Sequence, residues 1–126
     1  MPLGSDAASD QVSVLIVEDE ILIGLGLALA LNIAGYRVLG PVGSAARALA
    51  LAAQEWPKIA LVDIDLQGRP DGIDVARAMA ERHGTTVVFV TGEPEKAHQA
   101  RDCALGVITK PYDLVAIPRV IETAKR

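Results

Sequence analysis

Five polar residues at the ends of apolar segments could together carry out phosphoryl transfer. Glu18 and Asp19 follow one apolar run, while Asp63, Thr91 and Lys110 each follow another. If these runs are strands of an open parallel sheet, their carboxyl ends meet at one edge and bring the five residues to a single site. Three carboxylates about 5 Å apart repel by roughly 3 kcal/mol per pair at an effective dielectric near 20, which one lysine does not fully offset. The set therefore predicts a Mg²⁺ site built from oxygen ligands, next to a carboxylate that can attack phosphorus.

The segments that must position these residues alternate between strand and helix. Strands are predicted at Val12–Val17, Tyr36–Gly40, Ile59–Val62, Thr86–Val90 and Val107–Thr109. Helices are predicted from Asp19 or Glu20 to about Ala34, after the N-cap Ser44, and over Ile73–His83, Pro94–Cys103 and a last segment from about Ile117. Branched aliphatic runs that alternate with alanine-rich helices are typical of βα repeats.

The fourth and fifth helices carry specific expectations. In the fourth, only Ala97, Ala100 and Cys103 are available to face a core, so we expect this helix to be short or mobile. In the fifth, Pro118 is tolerated only within the first turn, so the regular part should start near Ile117.

Four segments resemble the receiver domain of the response regulators of bacterial two-component systems. They are Val17-Glu18-Asp19-Glu20, Leu61-Val62-Asp63-Ile64-Asp65-Leu66, Val90-Thr91-Gly92 and Thr109-Lys110-Pro111-Tyr112. The segments follow the family's order and spacing from about Val12 to Lys125. The resemblance implies a CheY-like, doubly wound α/β domain of flavodoxin type, with five parallel strands in the order 2-1-3-4-5 and five helices. We expect residues 12–126 to form this domain, after a disordered N-terminal tail at residues 1–11.

The resemblance also implies a role for each polar residue. Asp63 would be the phosphoacceptor, the Thr91 hydroxyl would donate to a phosphoryl oxygen, and the Lys110 ammonium would pair with another. The Lys110–Pro111 peptide bond is typically cis in this family. Asp19 would ligate Mg²⁺ directly, and Glu18 would hold it directly or through water. Asp63 would add a further oxygen, and the backbone carbonyl of Asp65 would complete the protein ligands.

Val107 departs from the family pattern. Receivers usually carry Tyr or Phe three residues before the lysine, and the inward swing of that ring reports phosphorylation. Because valine has no ring, we hypothesise that the signal runs through the loop after Thr91 and the fourth helix. Asp65 and Glu93 stand two residues after Asp63 and Thr91, at positions that in receivers tune how water reaches the aspartyl phosphate.

Composition limits the partners and the compartment. The net charge is −4 and Lys and Arg form no cluster, which argues against nucleic acid or an anionic membrane as a direct partner. The single Cys103 cannot form an internal disulfide, so we expect a reducing, cytoplasmic environment in which it acts as a small apolar residue. The uncharged run Ile21–Leu31 is too short to span a bilayer, which takes about 20 residues.

The first helix predicts an interaction surface. Leu25, Leu29 and Ile33 are four residues apart, at positions that point outward in the family alignment. An exposed apolar stripe commonly marks an interface. A histidine kinase or a histidine phosphotransfer helix bundle is the first candidate partner, and a homodimer through this helix is the second. The alternative is that the register is shifted and these side chains belong to the core.

The leading functional hypothesis is a stand-alone receiver that accepts a phosphoryl group. Its expected chemistry is limited to its own phosphorylation and dephosphorylation, so it would not be an enzyme acting on other substrates. Because we expect no output module after Arg126, it would bind another protein or drain phosphate from a shared kinase; a receiver excised from a hybrid kinase is an alternative. Another is a degenerate receiver that only binds partners. From a different class, Asp63-Ile64-Asp65 resembles the Asp-x-Asp motif of aspartate-nucleophile phosphatases, although there the motif usually follows the first strand.

Overall fold

The computed structural model of the protein describes residues 11–69 and 71–124. The strands are β1 (Ser13–Val17), β2 (Arg37–Val42), β3 (Ile59–Asp63), β4 (Thr86–Thr91) and β5 (Gly106–Thr109). The helices are α1 (Ile21–Ile33), α2 (Ala45–Gln54), α3 (Asp71–His83), α4 (Pro94–His98) and α5 (Ile117–Ala124), with a 3₁₀ turn at Leu114–Ala116. The strands form one parallel sheet in the order β2-β1-β3-β4-β5, which confirms the predicted fold class and topology. The predicted disordered tail lies outside the described residues, apart from Gln11.

Two apolar cores lie on opposite faces of the sheet because successive strand residues point to opposite sides. In β3, Ile59 and Leu61 pack into the core under α1 and α5, whereas Ala60 and Val62 pack into the core under α2 and α3. Both faces of the central strands are therefore covered by helices. This explains why the strands are continuously apolar rather than alternating.

Element boundaries differ from the predictions by a few residues. Strand β2 runs to Val42 rather than ending at Gly40, and it passes through Pro41. An edge strand tolerates proline because one side of its backbone has no strand to donate to. Asp63 and Thr91 are the last residues of β3 and β4 rather than the first residues of the following loops.

Helix α4 is shorter than the predicted Pro94–Cys103 segment and ends at His98. Residues 99–103 continue as turns. Ala97 and Ala100 are buried, and Cys103 packs at the edge of the same core, as expected for a small apolar side chain. The prediction of a short helix is therefore confirmed. The physical reason is that so thin an apolar stripe buries too little surface to stabilise a longer helix.

Helix α1 presents the predicted apolar stripe to solvent. Leu25, Leu29 and Ile33 are 53%, 62% and 78% exposed, while Leu27 and Leu31 face the core. The predicted register is therefore right, and the alternative that places the stripe in the core is wrong. Pro118 lies in the first turn of α5, as its missing amide hydrogen requires. Within residues 11–69 and 71–124, no helix has both the length and the apolar character to cross a bilayer.

Gly72 lets α3 lie directly against the end of β3. A Cβ atom at this position would lie 2.0 Å from the Asp63 carbonyl oxygen and 2.7 Å from the Ile64 Cα. The Gly72 amide donates to the Ile64 carbonyl oxygen at 3.0 Å. Because the obstructing atoms belong to the backbone, no side-chain rotation could relieve the clash.

We expect Gly72→Ala to lower the free energy of unfolding by about 1–3 kcal/mol or more, since the added methyl forces α3 away from β3. Urea unfolding followed by circular dichroism measures the change. Gly106→Ala in β5 is the matched control, because a Cβ there meets no atom within 4 Å. Equal stabilities for the two variants would contradict the close approach at Gly72.

Candidate functional site

The carboxyl ends of the strands place the predicted residues together. Asp63 ends β3 and Thr91 ends β4, and these neighbouring strands pair in register through Asp63 and Val90. Glu18 directly follows β1, and its amide donates to the Val42 carbonyl oxygen at 2.9 Å. The glutamate backbone is therefore fixed to the edge strand as well as to β1.

Lys110 lies between two acids of the site. Its Nζ is 2.9 Å from Glu18 Oε1 and 3.1 Å from Asp63 Oδ2. The peptide bond between Lys110 and Pro111 is cis, as predicted. Lys110 thus joins the loops after β1 and β5 to the end of β3 in one ion-pair network.

The three carboxylates converge. One oxygen each from Glu18, Asp19 and Asp63 lie within 4.8 Å of one another. The Asp19 carboxylate also accepts a hydrogen bond from the backbone amide of Gln67 at 2.8 Å, which ties the β1–α1 loop to the β3–α3 loop. The structure therefore brings together the acids that the sequence assigns to a metal site.

Burial controls the electrostatics of this cluster. Glu18 and Asp63 are only 4% and 7% exposed. Desolvation raises the pKa of Glu18 to about 7, although the hydrogen bond from Lys110 acts in the opposite direction. Desolvation tends to lower the pKa of Lys110, but the hydrogen bonds to Glu18 and Asp63 outweigh it and the net pKa is raised.

The residues fit a hard divalent cation. Carboxylate oxygens are the ligands that Mg²⁺ prefers, and these three already converge. Burial disfavours the ionised form of Glu18, as its raised pKa shows, so a cation would relieve that cost as well as the mutual repulsion. A single ammonium supplies only part of this compensation.

Thr91 and Asp65 connect the site to the loop before α4 and to α4 itself. The buried Thr91 Oγ1 accepts a hydrogen bond from the Glu93 amide at 2.9 Å. The Asp65 amide donates to Asp63 Oδ1 at 3.1 Å, and its carboxylate pairs with Lys96 at 3.1 Å. The Asp65 side chain is thus directed to α4, and the ligation of metal by its backbone carbonyl stays a prediction.

Comparison with known families identifies the architecture. The sequence profile described as "Response regulator receiver domain" matches residues 14–122. The chain belongs to this family. The expected family and CheY-like fold are therefore confirmed, and the acid cluster and Lys110 lie at the carboxyl edge of its sheet.

Individual relatives agree with this assignment. The receiver domain is 33% identical over 114 residues to the transcriptional regulatory protein PdtaR of Mycobacterium tuberculosis, an alignment that covers 88% of this chain and 55% of PdtaR. The chain thus spans about half the length of this relative. A signal receiver domain of a modulated diguanylate cyclase from Desulfovibrio desulfuricans G20 is 34% identical with a TM-score of 0.82, covering 92% of this chain and 94% of that one. The PhyR receiver domain of Erythrobacter litoralis is 28% identical with a TM-score of 0.82, covering 93% and 92%.

Lys96 is the residue beside the site that sequence reasoning missed. Its Nζ contacts both Asp65 and Glu93. The spacing of three residues between Glu93 and Lys96 could have suggested one of these pairs. The pair with Asp65 joins residues 31 apart in sequence, so only the folded chain reveals it.

Two grooves flank the site of this receiver domain. One, of about 530 Å³, lies beside Lys110 and is lined by Leu22, Ile23, Gly26, Pro111, Tyr112 and Leu114. The other, of about 370 Å³, lies between α4 and β5, where the predicted departure from the family pattern, Val107, is 42% exposed. Among the described residues that line this second groove there is no Phe, Tyr or Trp.

We expect Lys110→Met to lower the free energy of unfolding by about 3 kcal/mol, because it leaves the buried carboxylates of Glu18 and Asp63 without their cation. Thermal and urea unfolding without divalent ions measure the loss. Lys58→Met is the matched control at an exposed lysine and should change stability by less than about 0.5 kcal/mol. Equal losses in the two variants would contradict a stabilising role for the Lys110 network.

Proposed function

We propose that this receiver domain accepts a phosphoryl group on Asp63 from a histidine kinase or a histidine phosphotransfer protein, in a Mg²⁺-dependent reaction. The observation that carries the proposal is the convergence of three carboxylates within 4.8 Å, with Lys110 bound to two of them. A loop-capping role for Asp63 would need neither the other acids nor the lysine.

The proposed transfer uses the Asp63 carboxylate as nucleophile. An oxygen of Asp63 attacks the phosphorus of a phosphohistidine, a P–O bond forms, and the P–N bond breaks as the imidazole leaves and takes up a proton. Lys110 would pair with one phosphoryl oxygen, and the Thr91 hydroxyl would donate to another. Thr91 ends β4, which is paired with the acceptor strand β3. Lys110 follows β5 and contacts Asp63 directly.

Glu18, Asp19 and Asp63, with the backbone carbonyl of Asp65, are the residues that would hold Mg²⁺. When bound, the ion would supply positive charge to the phosphoryl oxygens during transfer. The chemistry is confined to the domain's own aspartate, so we propose a phosphoacceptor rather than an enzyme with a separate substrate. A cytoplasmic location remains our prediction from the use of cysteine.

Phosphorylation can be tested with a small donor. On incubation with acetyl phosphate and Mg²⁺, we expect the intact mass of the wild type to increase by one phosphoryl group, and Asp63→Asn to remain unmodified. Asp74→Asn, an exposed acid on α3, is the matched control and should be modified like the wild type. Modification of Asp63→Asn to the wild-type extent would contradict the assigned acceptor.

The metal requirement is tested in the same assay. Omission of Mg²⁺ should abolish the mass increase, and Asp19→Asn should need a higher Mg²⁺ concentration than Glu20→Gln, which removes an exposed charge next to the site. An unmodified but folded wild type would instead favour the degenerate receiver that only binds partners. Its binding surface would then be sought on α1.

The proposed phosphodonor docks beside Lys110. The exposed stripe of α1 adjoins the groove of about 530 Å³ formed with Pro111, Tyr112 and Leu114. None of the 13 residues of α1 is charged, so an apolar helix could pack there without burying an unpaired charge. A helical kinase or phosphotransfer domain fits this surface, and a second copy of this chain is the alternative occupant.

Leu29→Lys should separate docking from folding. Because Leu29 is 62% exposed, we expect a change in stability of less than about 0.5 kcal/mol. Its rate of phosphorylation by a phosphotransfer protein should fall roughly tenfold, as expected when a charge replaces an apolar interface residue. Acetyl phosphate does not use the helix surface and should modify Leu29→Lys at the wild-type rate.

Leu27→Lys is the matched variant on the core face of α1. Leu27 is buried, so the substitution should cost roughly 4 kcal/mol or more and affect both donors through loss of the fold. If Leu29→Lys leaves protein-dependent transfer unchanged, the donor docks elsewhere. Sedimentation of the wild type and Leu29→Lys then tests whether the stripe joins two copies of the chain.

A further inference from the structure

Lys96 bridges two acids that come from different loops. Its Nζ lies 3.1 Å from Asp65 Oδ1 and 3.3 Å from Asp65 Oδ2, and it also pairs with the Glu93 carboxylate. Asp65 belongs to the loop after β3, Glu93 to the loop after β4, and Lys96 to α4. One ammonium therefore connects the fourth helix to both loops that emerge from the site.

Each of the two acids is hydrogen-bonded through its own backbone to a residue of the phosphorylation site. The Asp65 amide donates to Asp63 Oδ1 at 3.1 Å, and the Glu93 amide donates to Thr91 Oγ1 at 2.9 Å. Lys96 is thus linked by one residue to the proposed acceptor and by one residue to the proposed hydroxyl donor. Two short paths lead from the site to α4.

Helix α4 has few other attachments at this end. It has five residues, and Ala97 is its one buried residue. Farther along, Arg77 of α3 donates to Asp102 at 2.6 Å and to the Gln99 carbonyl oxygen at 3.1 Å, which holds the turns that follow the helix. With so little apolar surface, the position of the start of α4 is sensitive to the Lys96 contacts.

We propose that Lys96 couples the phosphorylation of Asp63 to the position of α4, through its bridge between Asp65 and Glu93. This inference rests on the proposed function. A phosphoryl group on Asp63 adds anionic oxygens next to the Asp65 amide and draws the Thr91 hydroxyl toward itself. The Glu93 amide then loses its acceptor, and the new negative charge repels both carboxylates and attracts the ammonium.

The consequence is a route for the signal that needs no aromatic ring. Val107 cannot swing between two positions as a ring does, and the groove beside it is bounded by α4. A shift of Lys96 and the start of α4 would reshape this groove, whose lining includes Pro94, Ala97 and His98. The bridge thereby connects the chemistry at Asp63 to a surface that a downstream protein could contact.

The resting protein provides the first test, which does not depend on phosphorylation. In Lys96→Met, we expect the amides of residues 97–103 to exchange with solvent roughly two- to fivefold faster than in the wild type, which is the range that exposed ion pairs allow. About 1 M NaCl should remove most of this difference, because salt screens exposed charges. Lys58→Met is the control and should match the wild type, whereas unchanged exchange in Lys96→Met would overturn the bridge.

The phosphorylated protein provides the second test. After acetyl phosphate and Mg²⁺ treatment, with modification confirmed by intact mass, the amide resonances of residues 94–103 should shift in the wild type and in Lys58→Met. In Lys96→Met these shifts should be largely lost while resonances next to Asp63 still respond. In Glu93→Gln, the shifts of residues 94–103 should be partly lost. The double variant Glu93→Gln/Lys96→Met should resemble Lys96→Met, because the two residues act as one unit.

The outcomes distinguish the inference from the function on which it rests. A wild type that gains no phosphoryl group would overturn both. A wild type that is modified, with equal shifts of residues 94–103 in Lys96→Met, would overturn the coupling alone. Lys96→Met that is modified but loses these shifts would support both.

Discussion

The crowding of three carboxylates around one ammonium is the constraint on which the rest of the structure depends. The three acids, Glu18, Asp19 and Asp63, repel one another at this distance unless other groups of the protein stabilise their charges. Each therefore accepts a hydrogen bond from a backbone amide, supplied by Glu20, Gln67 and Asp65 respectively. Lys110 adds a cation that contacts two of them. Three loops are thus held in place by the acids that they carry.

The two flanks of this acid cluster differ in chemistry. On one side, α1, the 3₁₀ turn and Tyr112 form a mainly apolar surface, with a groove that Lys110 also lines. On the other, α4 meets the site through the ion pairs of Lys96 with Asp65 and Glu93. An apolar surface suits docking of a helical partner, whereas a charged contact responds to added phosphate. The division agrees with the proposed docking of a donor on α1 and the proposed route of the signal through α4.

Much of the fold and the acid cluster could be predicted from the sequence. Continuous apolar runs predicted the buried strands, and polar residues at the ends of four of the five runs predicted which side chains would meet. The register of α1 was right because the resemblance to the receiver family placed Leu25 and Leu29 outward; this helix is apolar on nearly every side, so its periodicity alone does not set the register. Strand β2 was predicted too short because a proline usually ends a strand, although the predicted order already places β2 at the edge of the sheet, where proline is tolerated.

The sequence by itself determined the order of the elements and the residues at the strand ends, because these follow from local periodicity and from the geometry shared by parallel sheets. The outward stripe of α1 came from the resemblance to the receiver family. Only the tertiary structure decided the contacts between distant loops. The approach of Gly72 to Asp63, the bond from Gln67 to Asp19 and the bridge from Lys96 to Asp65 depend on how the loops are packed. Local pattern does not specify such distances, since a shift of a few ångströms in a loop leaves every periodicity unchanged and yet makes or breaks an ion pair.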